Sequence, residues 1–274
     1  MKINLFNSKS TQNNKSKQDI KGKTASKHSS SEHDKSKQSK SNSSSMAISD
    51  KSKFAIVESY KLARTNIMFS LSAYDKKVFA VTSHSKGEGK STVSANVAIS
   101  FSKLEKRVLL VDCDLRRPNV HNIFNVDNKT GLSNIIGNMV TFEDTVHRNI
   151  LPNLDAITSG TIPPNPSELL CSPRFVNMIK RLTDEYDYII LDTPPVLAVT
   201  DAQLLAAKSD ATVLVVKANK TKGKTVINSY KELEKVKANI IGTILNDYDN
   251  SGERLYYRHE SDKKISKFLR KFKR

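Results

Sequence analysis

From residue 54 onward, the hydrophobic and polar positions alternate between a helical pattern and a strand pattern. In residues 54–72, the apolar Ile56, Tyr60, Ala63 and Ile67 fall on one face of a helix. Short runs rich in Val and Ile have the character of strands, at 78–81, 108–111, 154–157, 188–191, 211–216 and 240–245. Such short, almost wholly apolar strands are typical of a parallel sheet that helices cover on both faces. The pattern therefore predicts an α/β fold with a doubly wound, mostly parallel sheet flanked by helices.

Composition divides the chain into three parts. Residues 1–50 contain fourteen Ser and ten Lys against four acidic residues, with few β-branched or aromatic side chains. Such a segment buries too little apolar surface to offset the entropy cost of ordering, so we predict a disordered Ser/Lys-rich extension. Residues 252–274 carry nine basic and three acidic side chains, which predicts a flexible basic tail. The net charge of the chain is +17, of which only +5 belongs to residues 51–251, the predicted globular domain.

Composition also argues against several classes of protein. No apolar run approaches the roughly 20 residues of a membrane-spanning helix, and the N-terminus lacks the apolar stretch of a signal peptide. The two cysteines, Cys113 and Cys171, have no metal-like spacing, so we expect a cytosolic protein. The six His residues are scattered, which argues against a metal centre built on histidine.

A glycine-rich segment separates the first predicted strand from a helix predicted from residue 91 to about 104. Residues 83–92 read Ser-His-Ser-Lys-Gly-Glu-Gly-Lys-Ser-Thr. In this strand–turn–helix context, the segment predicts a phosphate-binding P-loop, whose backbone N–H groups and helix dipole face the phosphates. His84 replaces the first glycine of the motif, and an ordinary turn before a helix is the alternative. We predict that a nucleotide contacts the following residues of the loop: Gly87, Glu88, Gly89, Lys90, Ser91 and Thr92.

Two further strands end in carboxylates. Asp112 and Asp114 follow the run 108–111, and alternate residues of a strand point the same way, so both can face the crevice beyond the strand ends. Asp192 ends the run 188–191 in the Walker B pattern, an apolar strand closed by an acid. A solvated pair at a strand end is the alternative for the first two. Because oxygen ligands suit Mg²⁺, we predict a metal site formed by Ser91, Asp112, Asp114 and Asp192.

Together these motifs resemble those of the bacterial tyrosine kinases that control capsular and exopolysaccharide synthesis, which descend from MinD/ParA-type ATPases. The resemblance runs from about residue 54 to residue 251 and is most specific in the Pro-rich loop 159–170. It implies a P-loop NTPase fold, ATP and Mg²⁺ as cofactors, and a contact between Asn246 and adenine. It also implies catalytic roles for Lys90, Asp112, Asp114 and Asp192.

The first predicted helix carries Glu58, Lys61 and Arg64, which resemble the family's E-x-x-R-x-x-R motif with Lys in place of the first Arg. The resemblance implies that these side chains form the interface of a homo-oligomeric ring, and a merely solvated polar face is the alternative. MinD and ParA proteins have an additional P-loop lysine where this chain has Ser85. That difference favours a kinase over the first alternative, a MinD/ParA-like ATPase switch without protein kinase activity. A regulatory subunit that has lost kinase activity is the second alternative.

The C-terminal tail contains the candidate phosphoacceptors. Kinases of this family phosphorylate tyrosines in their own tails, and here Tyr256 and Tyr257 stand together in a polar setting. The cluster is sparser than is usual in the family, so two ordinary exposed tyrosines are the alternative, and the sparse tail also favours the ATPase switch. Residues 263–274 have apolar side chains at i, i+3, i+4 and i+7 among basic ones, as in an amphipathic helix on an anionic membrane. A solvated tail is the alternative there, and no base-reading module indicates a specific nucleic acid partner.

The resemblance further implies partners and a location. A membrane adaptor of the polysaccharide co-polymerase type activates such kinases through its cytosolic tail, and a cognate tyrosine phosphatase is also expected. We therefore expect a cytoplasmic kinase that is peripheral at the inner face of the cell membrane.

Overall fold

The computed structural model describes residues 2–4, 47–49, 52–72 and 76–248. The strands in this part of the chain are β1 (Lys2–Asn4), β2 (Val78–Ser83), β3 (Val108–Asp112), β4 (His147–Leu151), β5 (Leu154–Ile157), β6 (Tyr188–Asp192), β7 (Ala211–Lys217) and β8 (Ile240–Asn246). The helices are α1 (Phe54–Ser72), α2 (Lys90–Ser102), α3 (Val120–Phe124), α4 (Leu132–Ile136), α5 (Pro166–Cys171), α6 (Pro173–Leu182), α7 (Asp201–Lys208) and α8 (Gly223–Lys235). Every strand predicted from an apolar run is present. The polar edge strand β4 is an addition, because its side chains do not form an apolar run.

All the strands lie in one sheet, in the order β1-β8-β7-β2-β6-β3-β5-β4. The strands from β8 to β5 in this order are parallel to one another. The edge strands β1 and β4 pair antiparallel with their neighbours. The prediction of a mostly parallel sheet is therefore confirmed.

Successive residues of the central strands pack on opposite faces of the sheet. Leu110 and Ile190 belong to an apolar cluster with residues of α1 and α2. Leu109 and Ile189 belong to a second cluster, which contains Phe175 of α6. Because helices cover both faces, β2 and β3 are buried along their whole length, which explains why they are apolar up to the polar residues at their carboxyl ends. The doubly wound arrangement is thus confirmed.

The buried face of α1 differs in one position from the prediction. Tyr60, Ala63 and Ile67 are buried as expected, and Leu71 continues the same face. Ile56 is 45% exposed, so its assignment to the core was wrong. The periodicity fixes the direction in which a side chain points, but the packing of α1 against the core begins only at its second turn.

The helix after the Pro-rich loop begins two residues earlier than the sequence suggests. Serine is a favoured N-cap residue, which would place the cap at Ser167, but α5 begins at Pro166 and Asn165 precedes it. The fixed φ angle of proline suits the first helical position, where its missing N–H costs nothing. The Ser167 hydroxyl instead donates to a carboxylate of α7, at 2.5 Å from Asp201 Oδ1.

The predicted tails fall almost entirely outside the described residues. The exceptions are residues 47–49 and the strand β1, in which Ile3 pairs with Ile244 of β8. The three residues of β1 depart from the predicted disorder, because an edge strand such as β8 offers unpaired backbone N–H and C=O groups. The tyrosine pair at 256–257 and the segment 263–274 lie outside the described residues. Among the described residues, no helix has both the length and the apolar character needed to cross a membrane.

Candidate active site

The predicted motifs meet because they end three adjacent parallel strands. β2, β6 and β3 are neighbours in the sheet, and their register pairs Asp192 with both Val81 and Asp112. Backbone bonds continue this alignment just beyond the strands. The Cys113 N–H donates to the Asp192 carbonyl at 2.9 Å, and the Thr193 N–H donates to the Val81 carbonyl at 3.1 Å. The carboxyl ends of the three strands therefore form one edge, where ligands bind in sheets of this kind.

The P-loop depends on two glycines in the left-handed backbone region. Gly87 has a φ angle of 84° and Gly89 a φ angle of 89°. A Cβ atom on Gly89 would also collide with the side-chain amide of Asn246. Gly89 leads directly into α2, whose first residue is Lys90. The loop thus leads directly into the positive N-terminal end of a helix, as phosphate binding requires.

Lys90 lies among the acidic groups of the other two motifs. Its ammonium is 2.9 Å from Asp114 Oδ2 and 3.6 Å from Asp192 Oδ2. It also donates to the Ser91 hydroxyl at 3.2 Å. Burial alone would lower the pKa of Lys90, but the charges of Asp192 and Asp114 outweigh burial and raise that pKa. The lysine therefore keeps its positive charge at the start of α2, beside the P-loop.

Asp112 has a largely structural set of contacts. Its Oδ2 atom accepts the backbone N–H groups of Asn119 and Val120, each at 3.0 Å, and so fixes the start of α3. Its Oδ1 atom accepts the N–H of Asp114 at 3.2 Å. Burial and the neighbouring Asp192 raise the pKa of Asp112. Asp112 thereby holds the turn that carries Asp114.

Asp192 offers the clearest observation in favour of a bound cation. Its Oδ1 atom accepts the Ser94 hydroxyl at 3.0 Å, whereas its buried Oδ2 atom has no hydrogen-bond partner and lies 3.6 Å from the Lys90 ammonium. Burial raises the pKa of Asp192, although the charge of Lys90 opposes this. A buried carboxylate oxygen without a hydrogen bond is unfavourable and suits an oxygen-coordinated cation.

Mg²⁺ fits this set of donors in a specific way. No cluster of three or more His, Cys, Asp or Glu side chains in the described part of the chain has the arrangement of an all-protein metal site. Mg²⁺ commonly takes only one or two protein ligands and completes its octahedron with water and phosphate oxygens. Asp192 and Ser91 would hold the ion and Asp114 would lie beside it, while Asp112 has its oxygen atoms engaged with backbone N–H groups.

The other residues predicted to contact the nucleotide differ in where their side chains lie. Thr92 lies in the first turn of α2 and is partly buried. The Glu88 side chain is buried and turned toward the end of β7, so that only its backbone belongs to the phosphate-binding surface. Asn246 ends β8 beside the loop, and its amide donates to the Glu88 carbonyl at 2.9 Å. Asn246 therefore borders the P-loop directly.

A polar network near Asp114 was not assigned any role from the sequence. Arg116 donates from Nε to Asp201 Oδ2 at 2.8 Å and from Nη2 to Asp201 Oδ1 at 3.2 Å. Nη2 also lies 3.2 Å from the Ser167 hydroxyl. Burial would raise the pKa of Asp201, but the bonds from Arg116 and Ser167 lower it. Residues 200–202, Thr-Asp-Ala, also resemble the sequence of the kinase family, and that resemblance is the signal that could have identified this network, which joins three elements beside the site.

The three residues of the predicted oligomer interface differ in exposure. Lys61 is exposed and Glu58 is partly exposed, and the two form an ion pair at 2.8 Å along α1. Arg64 donates to the Ser100 carbonyl of α2 at 2.8 Å and is partly buried. The guanidinium group of Arg64 is thus already engaged within the domain.

Comparisons with known proteins agree with this geometry. Residues 76–246 match the family model described as an AAA domain. Tyrosine-protein kinase YwqD of Bacillus subtilis is 40% identical over 189 residues, which cover 69% of this chain and 80% of YwqD. The chimerical protein CapA2B2 aligns with a TM-score of 0.69 and 37% identity, covering 72% of this chain and 86% of the chimera.

A kinase domain of known structure is similar as well. The kinase domain of the Escherichia coli tyrosine kinase ETK aligns with a TM-score of 0.67 and 34% identity, covering 69% of this chain and 74% of that domain. The P-loop, the two acidic strand ends and these similarities all indicate a nucleotide-binding fold of one family. The chain belongs to the bacterial tyrosine-protein kinases, which build their catalytic site on a P-loop ATPase fold.

Proposed function

We propose that this protein is an ATP- and Mg²⁺-dependent protein-tyrosine kinase that phosphorylates tyrosines in its own C-terminal tail and regulates capsule or exopolysaccharide synthesis. The observation that carries the proposal is the convergence of Lys90, Asp114 and Asp192 at one point of a kinase-family fold. The proposed acceptors are Tyr256 and Tyr257.

Each side chain has a distinct part in phosphoryl transfer, which depends mainly on positioning and charge stabilisation. The Lys90 ammonium binds the β- and γ-phosphate oxygens of ATP. Ser91 and Asp192 hold Mg²⁺, which neutralises charge on the phosphates. Asn246, at the edge of the P-loop, contacts the adenine base.

Asp114 is the proposed general base. In the described structure its carboxylate is bound to Lys90 at 2.9 Å. Phosphate oxygens compete for the same ammonium, so ATP binding releases the Asp114 carboxylate from its ion pair. Asp114 then accepts the phenolic proton as the tyrosine oxygen bonds to the γ-phosphorus and the bond to ADP breaks. Because the ordinary pKa of tyrosine is about 10, a nearby base assists this step.

The wider assembly follows from the family. Glu58, Lys61 and Arg64 are proposed to contribute to a homo-oligomeric ring, in which one copy phosphorylates the tail of the next. The basic segment 263–274 is proposed to keep the kinase at the inner face of the cell membrane, near an adaptor whose cytosolic tail activates it. A cognate tyrosine phosphatase would reverse the modification.

The ATPase-switch alternative is less well supported. Its main support is the sparse tyrosine pair in the tail. Against it, the similar proteins reported above are tyrosine kinases with 34–40% identity to this chain. The chain also has Ser85 where the switch ATPases have their additional lysine.

One experiment tests the proposed function. The full chain is incubated with ATP and Mg²⁺, with and without an adaptor's cytosolic tail, and probed for phosphotyrosine. We expect incorporation at Tyr256 or Tyr257 by peptide mass mapping, and none in a Lys90→Met control. ATP hydrolysis without phosphotyrosine would support the switch instead, and absence of both activities would support an inert regulatory subunit.

A further inference from the structure

The segment that connects β7 to α8 lies against the P-loop and is bound to it by Glu88. The Glu88 Oε2 atom accepts the backbone N–H of Lys217 at 2.7 Å and the hydroxyl of Thr221 at 2.5 Å. The backbone carbonyl of Glu88 accepts the amide of Asn246 at 2.9 Å. One residue of the phosphate-binding loop is therefore tied to the ends of both β7 and β8.

The presence of a carboxylate in a phosphate-binding loop needs a physical explanation, because a carboxylate repels an anionic ligand. Glu88 is buried, and a buried carboxylate is costly unless hydrogen-bond donors compensate for the lost water. The donors from Lys217 and Thr221 provide that compensation at Oε2, while the other oxygen, Oε1, lies 3.3 Å from His84 Nδ1. The charge of Glu88 is thus used to hold the two segments together.

The tie fixes the position of a lysine that the family motifs do not include. Lys220 lies between the two residues that Glu88 binds, and its ammonium stands over the P-loop. A Cβ atom built on Gly87 would be 3.5 Å from Lys220 Nζ. Lys220 is exposed, and within residues 76–248 its ammonium forms no ion pair. This positive charge is therefore available to a ligand on the loop.

The electrostatics of the site favour such a contribution. Lys90 shares its charge with Asp114 and Asp192, and Asp112 lies nearby. Three carboxyl groups thus surround one ammonium at a site that is proposed to bind a polyanionic nucleotide. A further cation beside Gly87 of the P-loop would reduce this imbalance, and the compact charge of lysine suits phosphate.

We infer that Lys220 is a second phosphate-binding lysine of the nucleotide site, and that Glu88 is the residue that positions it. The ligand is the phosphate chain of a nucleoside di- or triphosphate. The inference rests on the proposed ATP binding and adds a residue from a loop outside the recognised motifs.

The first test is a titration of the full chain with a fluorescent ATP analogue in the presence of Mg²⁺. Lys220→Gln should weaken binding about tenfold, the effect of losing one charged hydrogen bond. Lys220→Arg should retain most of the affinity, because it keeps the charge. Lys222→Gln is the matched control, because Lys222 is exposed in the same segment, and its affinity should stay within about twofold of wild type.

The second test isolates the positioning role of Glu88. Glu88→Gln keeps an acceptor oxygen for Lys217 and Thr221 and should retain most of the affinity, whereas Glu88→Ala should weaken binding. In the Glu88→Ala background, Lys220→Gln should have little additional effect, because the lysine has already lost its fixed position. A full tenfold effect in that background would overturn the positioning role.

The outcomes separate this inference from the proposed function. If the wild-type chain binds no ATP analogue, the proposed function itself fails, and the inference fails with it. If the wild-type chain binds and Lys220→Gln binds equally well, only the inference is wrong. Equal weakening in Lys220→Gln and Lys222→Gln would also overturn it, because that result indicates a general effect of surface charge.

Discussion

At the scale of single residues, the electrostatics of the site depend on Lys90 and on the three carboxyl groups near it, those of Asp112, Asp114 and Asp192. Lys90 contacts Asp114 at 2.9 Å and Asp192 at 3.6 Å, while Asp112 is occupied by backbone N–H groups. The three acids are therefore not equivalent. Asp112 orders a turn, Asp192 has an oxygen without a hydrogen-bond partner, and Asp114 is the proposed general base.

This division predicts a selective defect in Asp114→Asn. Nucleotide affinity should stay within a few-fold of wild type, because the P-loop and Asp192 are unchanged. Phosphotransfer should fall at least about a hundredfold, since general base catalysis is lost. Phosphotyrosine formation and binding of an ATP analogue are measured on the same preparation, with exposed Asp184→Asn as control. Wild-type phosphorylation by Asp114→Asn would remove this residue from the mechanism.

The raised pKa of Asp112 predicts how the stability of the protein depends on pH. Burial, and then the charge of Asp192, raise its pKa from the ordinary 3.8 to about 7. An acid whose pKa is raised by folding binds more protons in the folded state, so its contribution is present below about pH 4 and is lost as the pH rises toward 7. Ionisation of Asp112 should therefore lower the melting temperature of the nucleotide-free chain as the pH rises from about 4 to about 7.

The Asp112→Asn variant isolates that contribution, because position 112 then has no proton to lose. Its melting temperature should fall less steeply than that of wild type between pH 4 and 7. Thermal melts at half-unit pH steps give the two slopes, whatever the absolute stability of the variant. Parallel curves would show that Asp112 does not titrate in this range.

At the scale of elements, the loop after β3 is fastened to α5 and α7. Arg116 reaches Asp201 through two nitrogen atoms and also contacts Ser167. Asp201 is fully buried, whereas the Arg116 side chain is 40% exposed. The network ties the loop that carries Asp114 to the Pro-rich segment and to the helix that follows Asp192.

The Arg116→Ala variant should lower the free energy of unfolding by about 1–3 kcal/mol. Removing one partner of a buried ion pair generally costs about 3–5 kcal/mol, and water at the exposed guanidinium reduces this. Arg116→Lys should be intermediate, because an ammonium cannot form the paired contact. Urea denaturation measures the change, and Lys129→Ala, which breaks an exposed pair with Asp127, should change it by less than about 0.5 kcal/mol. Equal effects at the two sites would contradict this account.

A second tie between elements brings the start of α4 against the segment after β5. The N–H groups of Leu132 and Ser133 donate to the carbonyls of Thr158 and Ser159 at 2.8 and 2.9 Å. This close approach leaves no room for a Cβ atom on Gly131, which would collide with the backbone of residues 158–160.

We expect Gly131→Ala to lower the free energy of unfolding by at least about 2 kcal/mol, because the backbone must move to accept the methyl group. Gly223→Ala is the matched control, since a Cβ atom there meets nothing within 4 Å. That variant should be neutral or up to about 1 kcal/mol more stable, as alanine favours the helix. Denaturation curves compare the two, and similar values would exclude the proposed steric cause.

At the scale of the whole molecule, the charge is concentrated outside the catalytic domain. Residues 263–274 alone contain seven basic side chains. Each Lys or Arg near an anionic membrane contributes about 1 kcal/mol of attraction. The proposed location at the inner face of the membrane would gain from such a tail.

Removal of residues 263–274 should therefore abolish flotation of the chain with vesicles rich in phosphatidylserine. A Phe268→Ser, Phe272→Ser variant, which keeps the charge, should bind more weakly than wild type because the apolar face is lost. Vesicles of phosphatidylcholine alone serve as control and should bind none of the variants. Flotation of the truncated chain at the wild-type level would refute the membrane role.

The sequence alone indicated the parallel sheet and most of the residues that meet at the candidate site. Strand runs of Val and Ile are visible because strands buried on both faces are mostly apolar, as in β3, where the one polar residue is Asp112 at its end. Lys90, Asp114 and Asp192 were identifiable because local motifs place them at the ends of strands. Only the tertiary structure decided the contacts between distant segments, such as that of Glu88 with Thr221 and that of Arg116 with Asp201. It also decided the exposure of Ile56. These features depend on which surfaces meet after folding, and the local periodicity of a sequence does not indicate which distant segments pack together.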